Sequence, residues 1–254
     1  MVQVIQCICG ERLEAEAYDE LFGSLRRHAD AAHADLELSD DLLRESLQKG
    51  ASTNRWDGQR AELSGELTIH PLTPERLGDY LAFFDGDAFM DNPQWSSCYC
   101  LYYQHDGDDW EERTREQNRA GKAELIQQGK AHGLLAYLDG RPVAWCHAAP
   151  KSTLPRIAND EDLKSADDQT LGAIVCFVVA APYRRQGLAS KLLEAACKEL
   201  RSLGMSQVEA YPPAASSMSE ARSYHGPLEM YLDAGFSKLR DVDGYAVVRR
   251  SLTG

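Results

Sequence analysis

The sequence predicts an α/β fold in which a mixed β-sheet is flanked by helices, preceded by a small α+β domain at the N-terminus. A buried strand, a basic glycine-containing turn and an amphipathic helix follow one another between residues 171 and 204. Two earlier apolar runs, joined by Asp139-Gly140, have the pattern of a β-hairpin. Residues 51–65 are polar and weakly periodic, as in a linker. We therefore expect domains over 1–50 and 66–254.

The small domain has a strand pattern over residues 2–8, a turn at Cys9-Gly10 and helix patterns over 17–33 and 39–48. Its apolar core is small, and domains below about 40 residues usually need a disulfide, a bound metal or oligomerisation to be stable. A closed, tetrahedral zinc site with a structural role would supply that stability. The candidate ligands are Cys7, Cys9, His28 and His33.

This zinc site places a condition on the helix that carries the histidines. His28 and His33 differ in direction by about 140° on a regular helix, so we expect the helix to end near Ala31 or Ala32 and His33 to fold back. The segment resembles a family of small metal-binding domains without an assigned function. The alternative is that the cysteines lie beside a strand end and the histidines are ordinary polar positions.

The elements of the larger domain follow from apolar periodicity and from helix and turn signals. Thr73-Pro74-Glu75 is a helix start, for example, and Gly204 suits a helix end. In chain order we expect a strand over 67–70, helices over 73–84 and 110–128, a hairpin over 133–149, a strand over 173–181, a helix over 188–203, a strand over 207–211, a helix over 227–234 and a hairpin over 236–250.

The turn from Arg184 to Ala189 lies at the N-terminus of the predicted helix, where unpaired N–H groups and the helix dipole attract anions. Gly187 lets a ligand approach the backbone, and the arginines add positive charge. The turn resembles the signature Gln/Arg-x-x-Gly-x-Gly/Ala of the GNAT acetyltransferase superfamily. A second landmark, Tyr231 to Phe236, resembles that family's Tyr-x-x-x-Gly-Phe. The resemblance covers residues 67–252.

The resemblance implies acetyl-CoA as cosubstrate, with its pyrophosphate on the turn and its pantetheine arm paired to the end of the preceding strand. The alternative is a generic strand, turn and helix that holds another phosphate or merely caps the helix. The implied cofactor-binding residues are Phe177, Val178, Val179, Arg184, Arg185, Gln186, Gly187, Leu188, Ala189 and Ser190.

For catalysis, the resemblance makes Tyr231 the general acid that protonates the coenzyme A thiolate; the alternative is that it packs beside Phe236. Glu209 and His147 are candidate general bases, with His225 as a third. A lone histidine near a strand end is more often structural, and the family often needs no dedicated base. The family's frequent Asn before the Tyr is replaced here by the segment 223–227.

An aromatic stretch between the first two helices of the larger domain lies where the superfamily usually builds its acceptor pocket. Aromatic rings there can surround a cation or an apolar side chain. We expect Trp95, Tyr99 and Tyr102 to bind the substrate. The alternative is a buried structural cluster.

Charge and composition limit the partners. Lys and Arg total 27 against 40 Asp and Glu, a formal charge of −13, which disfavours nucleic acid and anionic membranes. We find no apolar run of about 20 residues and no signal-peptide pattern. Seven cysteines without such a pattern favour thiols or metal ligands over disulfides. We therefore expect a cytoplasmic protein, and the oligomeric state stays open, with a homodimer as one candidate.

Taken together, the sequence predicts an N-acetyltransferase that transfers the acetyl group from acetyl-CoA directly to a small-molecule amine in a ternary complex. Because no base is evident, a non-catalytic module that senses acyl-CoA or another ligand is an alternative. Acetylation of proteins or peptides is a third hypothesis, which would require an open acceptor groove.

Overall fold

The computed structural model describes residues 3–7, 11–36, 38–50, 52–53, 59–165, 168–214 and 224–253. Two compact units divide the chain. The first comprises Met1–Gln59 together with Phe89–Ser96, and the second comprises Arg60–Ala88 and Ser97–Gly254. The segment 89–96, which we assigned to the larger domain, thus groups with the smaller unit.

The first unit combines a three-stranded antiparallel sheet with two helices. Its strands lie in the order β2-β1-β3, with β1 at Gln3–Gln6, β2 at Arg12–Ala15 and β3 at Ser52–Thr53. Helix α1 spans Tyr18–Ala32 and α2 spans Asp40–Gly50. The described core is small: Ile5, Leu21, Leu25, Ala29, Leu43 and Leu47.

The second unit is built on a seven-stranded sheet in the order β4-β5-β6-β7-β8-β10-β9. Only β7 and β8 are parallel, and the other neighbours are antiparallel. The predicted mixed sheet is therefore confirmed. The strands are β4 (Leu67–Pro71), β5 (Leu134–Leu138), β6 (Arg141–Pro150), β7 (Leu171–Val179), β8 (Gln207–Ala210), β9 (Ser237–Val242) and β10 (Tyr245–Ser251).

Helices cover both faces of this sheet. They are α3 (Leu77–Asp85), α4 (Arg115–Gln127), α5 (Pro155–Ala158), α6 (Leu188–Ser202) and α7 (Leu228–Asp233). Side chains alternate along a strand, and β6 shows the consequence. Cys146 belongs to the core shared with Leu192 of α6, whereas the neighbouring Trp145 ring packs against Tyr80 and Phe84 of α3.

Local signals account for most element boundaries. Asp139 and Gly140 have φ values of 49° and 78°, the left-handed conformation of a tight hairpin turn, so the predicted hairpin is confirmed. Helix α4 begins at Arg115, later than predicted, because Thr114 and Gln117 form a capping box there. In the described parts of the chain, we find no helix with the length and apolar character to cross a bilayer.

Gly133, just before β5, is the position where the fold tolerates a side chain least. Its φ is +143°, and a Cβ would overlap the Trp145 ring and lie 2.6 Å from the Cys146 carbonyl oxygen. We therefore expect Gly133→Ala to lower the free energy of unfolding by about 3 kcal/mol or more. The measurement is a urea-unfolding curve.

The matched control is Gly129→Ala. Gly129 also has a positive φ, +67°, but a Cβ at this position would meet nothing within 4 Å. Its cost is therefore limited to left-handed backbone strain of about 1 kcal/mol. Equal losses for the two variants would show that the close approach to Trp145 does not constrain the fold.

Candidate functional site

Strand β7 is paired with β8 over only part of its length. The pairing runs from Leu171 opposite Gln207 to Ile174 opposite Ala210, while β7 continues to Val179. On its other side, β7 stays paired with β6 to its end. The last five residues of β7 therefore have no β8 partner for their backbone groups, which is the arrangement that can accept another extended chain.

The turn after β7 leads directly into the N-terminus of α6. Arg185 and Gly187 have φ values of 61° and 78°, and Gly187 is the N-cap residue. A Cβ at Gly187 would meet nothing within 4 Å, so the approach to the helix end is open on that side. The Arg184 Nε donates to the Val179 carbonyl at 2.9 Å. The first N–H groups of a helix lack intrahelical acceptors, so the turn can bind an anion.

Two of the predicted cofactor-binding side chains turn inward from this site. Gln186 donates to the Ala61 carbonyl at 2.8 Å and accepts from the Leu63 N–H at 2.9 Å. The Leu188 side chain is buried in the core with α6. Only the backbone groups of these two residues are therefore available to a ligand.

Tyr231 lies in α7, next to the part of β7 that has no β8 partner. Its side chain is fully buried, its ring centroid lies 6.5 Å from that of Phe177 and 5.2 Å from that of Phe236, and its hydroxyl donates to the His225 carbonyl at 2.6 Å. Burial raises the pKa of Tyr231 well above its usual value. The phenol is therefore protonated at neutral pH and can act as a proton donor.

The turn before α7 contacts both β7 and Tyr231, which the sequence did not suggest. The Phe177 N–H donates to the Tyr224 carbonyl at 2.6 Å, and the adjacent His225 carbonyl accepts from Tyr231. Burial lowers the pKa of His225 to about 4, so its ring is neutral at pH 7. The only sequence signal for this turn is Gly226, whose φ is 75°. Ser223 lies outside the described residues.

Glu209 sits at the centre of a buried ionic network. Its carboxylate accepts from Arg249 Nε at 3.0 Å, from Lys151 Nζ at 3.4 Å and from the Tyr211 hydroxyl at 3.1 Å. Glu209 and Lys151 are fully buried. A carboxylate shared by two cations is engaged in ion pairing, which argues against the predicted role as a general base.

His147 is fully buried on β6, opposite Cys176 of β7. Neither ring nitrogen has a hydrogen-bond partner. Burial, with a smaller contribution from the positive charge of Lys122, lowers the pKa of His147, so the ring is neutral. It lies on the side of the sheet that faces α3, because its ring neighbours that of Trp145 at 5.9 Å.

The three residues predicted to bind the acceptor have different surroundings. Tyr99 is fully buried and its hydroxyl donates to Asp85 at 2.5 Å, so the expectation that it faces a substrate is corrected to a packing role. Tyr102 is 36% exposed, and the Arg156 guanidinium lies 4.9 Å from its ring centroid. Trp95 belongs to the first unit. Trp110, which the prediction omitted, packs edge-on against Tyr102.

In the first unit, three of the four predicted metal ligands lie together. The ligand atoms of Cys7, His28 and His33 are all within 4.8 Å of one another, and Cys7 Sγ lies 3.1 Å from His33 Nε2. Helix α1 ends at Ala32, and His33 has left the helix with φ −138°. The predicted helix end is confirmed. Cys9 lies outside the described residues.

The Glu209 network gives a prediction that distinguishes a structural role of Glu209 from a role as general base. Glu209→Gln removes the counter-charge of Lys151 and Arg249, so we expect the free energy of unfolding to fall by about 3–5 kcal/mol. The matched control is Glu194→Gln, because Glu194 pairs with Arg250 in a partly exposed bridge worth at most about 1 kcal/mol. Chemical denaturation measures both. An unchanged stability for Glu209→Gln would contradict the structural role.

Solved structures with low sequence identity to the chain are acetyltransferases. Solved structures similar to the chain include an N-acetyltransferase from Staphylococcus aureus Mu50 (16% identity, TM-score 0.45, covering 74% of this chain and 100% of that one). They also include the PaiA N-acetyltransferase from Thermoplasma acidophilum in complex with coenzyme A (13%, 0.44, 73% and 99%). Another is the aminoglycoside acetyltransferase AAC(6')-Ib in complex with coenzyme A (16%, 0.46, 73% and 95%).

The sequence comparisons identify the family. No curated protein matches the chain. The model of the Acetyltransferase (GNAT) family matches residues 93–220, just over half of the 254 residues. This match includes β7, the turn and α6. The chain therefore belongs to the GNAT acetyltransferase family.

Proposed function

We propose that the protein is an acetyl-CoA-dependent N-acetyltransferase that acts on the amine of a small molecule by direct transfer in a ternary complex. The observation that carries the proposal is one juxtaposition. The end of β7, which has no β8 partner beyond Ile174, leads into the open N-terminus of α6, and its Phe177 lies beside the protonated Tyr231.

The backbone around β7 supports the binding of the donor. The pyrophosphate of acetyl-CoA would lie on the turn 184–187, where helix N–H groups and the charge of Arg185 attract it. The pantetheine arm would run along the end of β7, where the β8 side has no strand partner. To bind there, it would replace the Tyr224 carbonyl at the Phe177 N–H.

Tyr231 would complete the chemistry. The amine nitrogen attacks the carbonyl carbon of the thioester, and the carbon–sulfur bond breaks with its electron pair on sulfur. Tyr231 then gives its proton to the coenzyme A thiolate. In this structure the hydroxyl donates to the His225 carbonyl, so it would turn from that acceptor to the sulfur. A buried phenol that keeps its proton at neutral pH suits this role.

The amine would lose its proton to water. Glu209 is engaged by Arg249 and Lys151, and His147 is fully buried, so neither reaches solvent or an acceptor in this structure. An unprotonated amine can bind and react without a dedicated base, and a basic pH would then favour turnover.

The charge of the protein supports a small amine as acceptor. The formal charge of −13 attracts cations, and amines are cationic before they lose a proton. In the described ranges, no disulfide joins the five cysteines of the second unit, which supports the proposal of a reducing compartment such as the cytoplasm. We place Tyr102 near the acceptor, because it is the exposed member of the predicted trio.

The test of this function is the variant Tyr231→Phe, which keeps the ring and removes the acid. We expect kcat to fall by about a hundredfold or more while the affinity for acetyl-CoA, measured by calorimetry, stays unchanged. Turnover is followed by thiol release over a panel of small amines. The matched control is Tyr137→Phe, because Tyr137 is also buried and its hydroxyl donates to Asp79 at 2.9 Å, on β5, which β6 separates from β7.

The other outcomes distinguish the alternatives. Binding of acetyl-CoA by the wild-type protein without turnover of any amine would favour a ligand-sensing module. A mass increase on peptides but not on small amines would favour a protein acetyltransferase. A folded protein that does not bind acetyl-CoA would rule out both the enzyme and the acyl-CoA sensor.

We further propose that the first unit holds one structural zinc ion through Cys7, His28, His33 and Cys9. The geometry of the three described ligands supports it, since ligand atoms on one tetrahedral zinc are about 3.5 Å apart and these lie within 4.8 Å of one another. The small core of this unit supports it as well. Four protein ligands would leave no position for a catalytic water.

Metal analysis tests the zinc site directly. We expect about one equivalent of zinc in protein purified without chelator. His33→Ala should lower the content to below about a tenth, whereas His70→Ala, at a histidine of β4 outside the cluster, should leave it unchanged. Less than a tenth of an equivalent in the wild-type protein would rule the site out.

A further inference from the structure

Residues 60–63, which precede β4, lie against the turn that joins β7 to α6. They form no helix or strand of their own, but they belong to the second unit. Ala61 and Leu63 are half-buried, and Leu63 packs against the core that includes Leu188 of α6. We call residues 60–63 the strap. It packs as part of the second unit, although its sequence pattern is that of a linker.

Gln186 is the central contact between the strap and the turn. Its amide nitrogen donates to the Ala61 carbonyl at 2.8 Å, and its amide oxygen accepts from the Leu63 N–H at 2.9 Å. The same nitrogen also donates to the Pro182 carbonyl, within the turn, at 3.3 Å. Both polar atoms of this side chain are therefore used to hold the turn and the strap together.

Two further hydrogen bonds join the strap to carbonyl groups of the turn. The Ala61 N–H donates to the Pro182 carbonyl at 3.0 Å, and the Arg60 Nη1 donates to the Arg184 carbonyl at 3.0 Å. These contacts use carbonyl oxygens and a side chain of the turn, whereas an anion at a helix N-terminus binds to backbone N–H groups. The strap therefore holds the turn by groups that the anion does not need, and it brings the charge of Arg60 beside them.

The turn needs such support because part of its backbone is strained. Arg185 has a φ of 61°, and Gly187 has a φ of 78°. A left-handed conformation is unfavourable at a residue with a Cβ, as at Arg185, and it persists where surrounding contacts fix it. Gln186 lies between these two residues and supplies such contacts. N–H groups that are fixed before the ligand arrives bind it more tightly, because less ordering is needed on binding.

We propose that Gln186 and Arg60 are positioning residues for the diphosphate of acetyl-CoA, and that the strap is part of the donor site. Because the ligand is the donor's diphosphate, this assignment depends on the proposed function. Gln186 acts through the backbone of the turn, since its side chain is bonded to the strap. Arg60 acts through the Arg184 carbonyl and through its positive charge. A bound donor in turn stabilises the contact of strap and turn, because coupling is reciprocal.

Calorimetric titration of the full-length protein with acetyl-CoA tests the role of Gln186. Gln186→Met keeps the length of the side chain and removes its hydrogen bonds, so we expect the dissociation constant to rise by about tenfold. Adenosine 3′-phosphate 5′-diphosphate, the nucleotide half of coenzyme A, should lose the same factor because it carries the diphosphate. The matched control is Gln128→Met, in an exposed glutamine that donates to Glu124, and it should bind as the wild-type protein does.

Arg60→Ala is the second variant, and the exposed position of Arg60 means that its loss leaves the packing of the fold intact. We expect acetyl-CoA to bind about threefold more weakly or worse, because one hydrogen bond to the turn and one positive charge are lost. The matched control is Arg240→Ala. Arg240 is also exposed and also donates to a backbone carbonyl, that of Asp162, at 2.8 Å, but it lies on β9 at the edge of the sheet. This control should leave binding unchanged.

Limited proteolysis measures the coupling in the other direction. Trypsin cleaves after Arg60 only when the strap leaves the turn and enters the protease, which requires local opening. Saturating acetyl-CoA should therefore slow this cleavage by about fivefold or more. Cleavage after Lys164, an exposed residue outside the strap and the turn, is the reference and should not change. Without ligand, Gln186→Met should be cleaved after Arg60 faster than the wild-type protein.

The outcomes separate this assignment from the proposed function. Equal affinities of the wild-type protein, Gln186→Met and Arg60→Ala for acetyl-CoA would show that the strap is not part of the donor site. The same conclusion would follow if Gln186→Met only lowered the midpoint of thermal unfolding, with an unchanged dissociation constant. Cleavage after Arg60 at one rate with and without ligand would contradict the coupling. A wild-type protein that does not bind acetyl-CoA would overturn the proposed function, and the role of the strap with it.

Discussion

The pairing of β7 with its two neighbours is the constraint on which the second unit depends. On one side β7 is paired with β6 to its last residue, which fixes which side chains face α6 and which face α3. On the other side its pairing with β8 stops at Ile174. Because the strand is held from one side, its backbone groups beyond Ile174 keep a defined geometry without a β8 partner. The candidate donor site, the contact with Tyr224 and the position of Cys176 all follow from this one-sided support.

Two buried lysines of this unit have different partners. Lys151 shares the carboxylate of Glu209 with Arg249 at the β8 side of the sheet, which accounts for a buried glutamate by ion pairing. Lys122, on the face covered by α3 and α4, donates to the Cys100 carbonyl and to the Gln104 side chain. One buried ammonium group is therefore held by a negative charge and the other by neutral oxygen atoms.

The first unit meets a different constraint, which is its size. A described core of six residues buries little apolar surface, and small domains usually need a further source of stability. The end of α1 at Ala32 supplies the geometry for a metal site, because it lets His33 leave the helix and approach Cys7. A continuous helix would point His28 and His33 about 140° apart. The helix end is thus the feature that makes a shared ligand position feasible.

The sequence by itself determined the fold class, the order of most elements and the glycine turn that opens α6. These depend on local signals: the apolar run of β7, the glycine at 187, the leucine spacing of α6 and the Asp139-Gly140 turn. Only the tertiary structure decided the roles of Glu209, Tyr99 and Lys122. The burial of Lys122 has one local signal, since it shares a four-residue spacing with the buried Asn118 and Ile126 of α4, but its hydrogen-bond partners are Cys100 and Gln104, 22 and 18 residues earlier in the chain. Contacts between residues far apart in sequence leave no periodicity, because each partner's own neighbours, and not its distant partner, determine the local pattern.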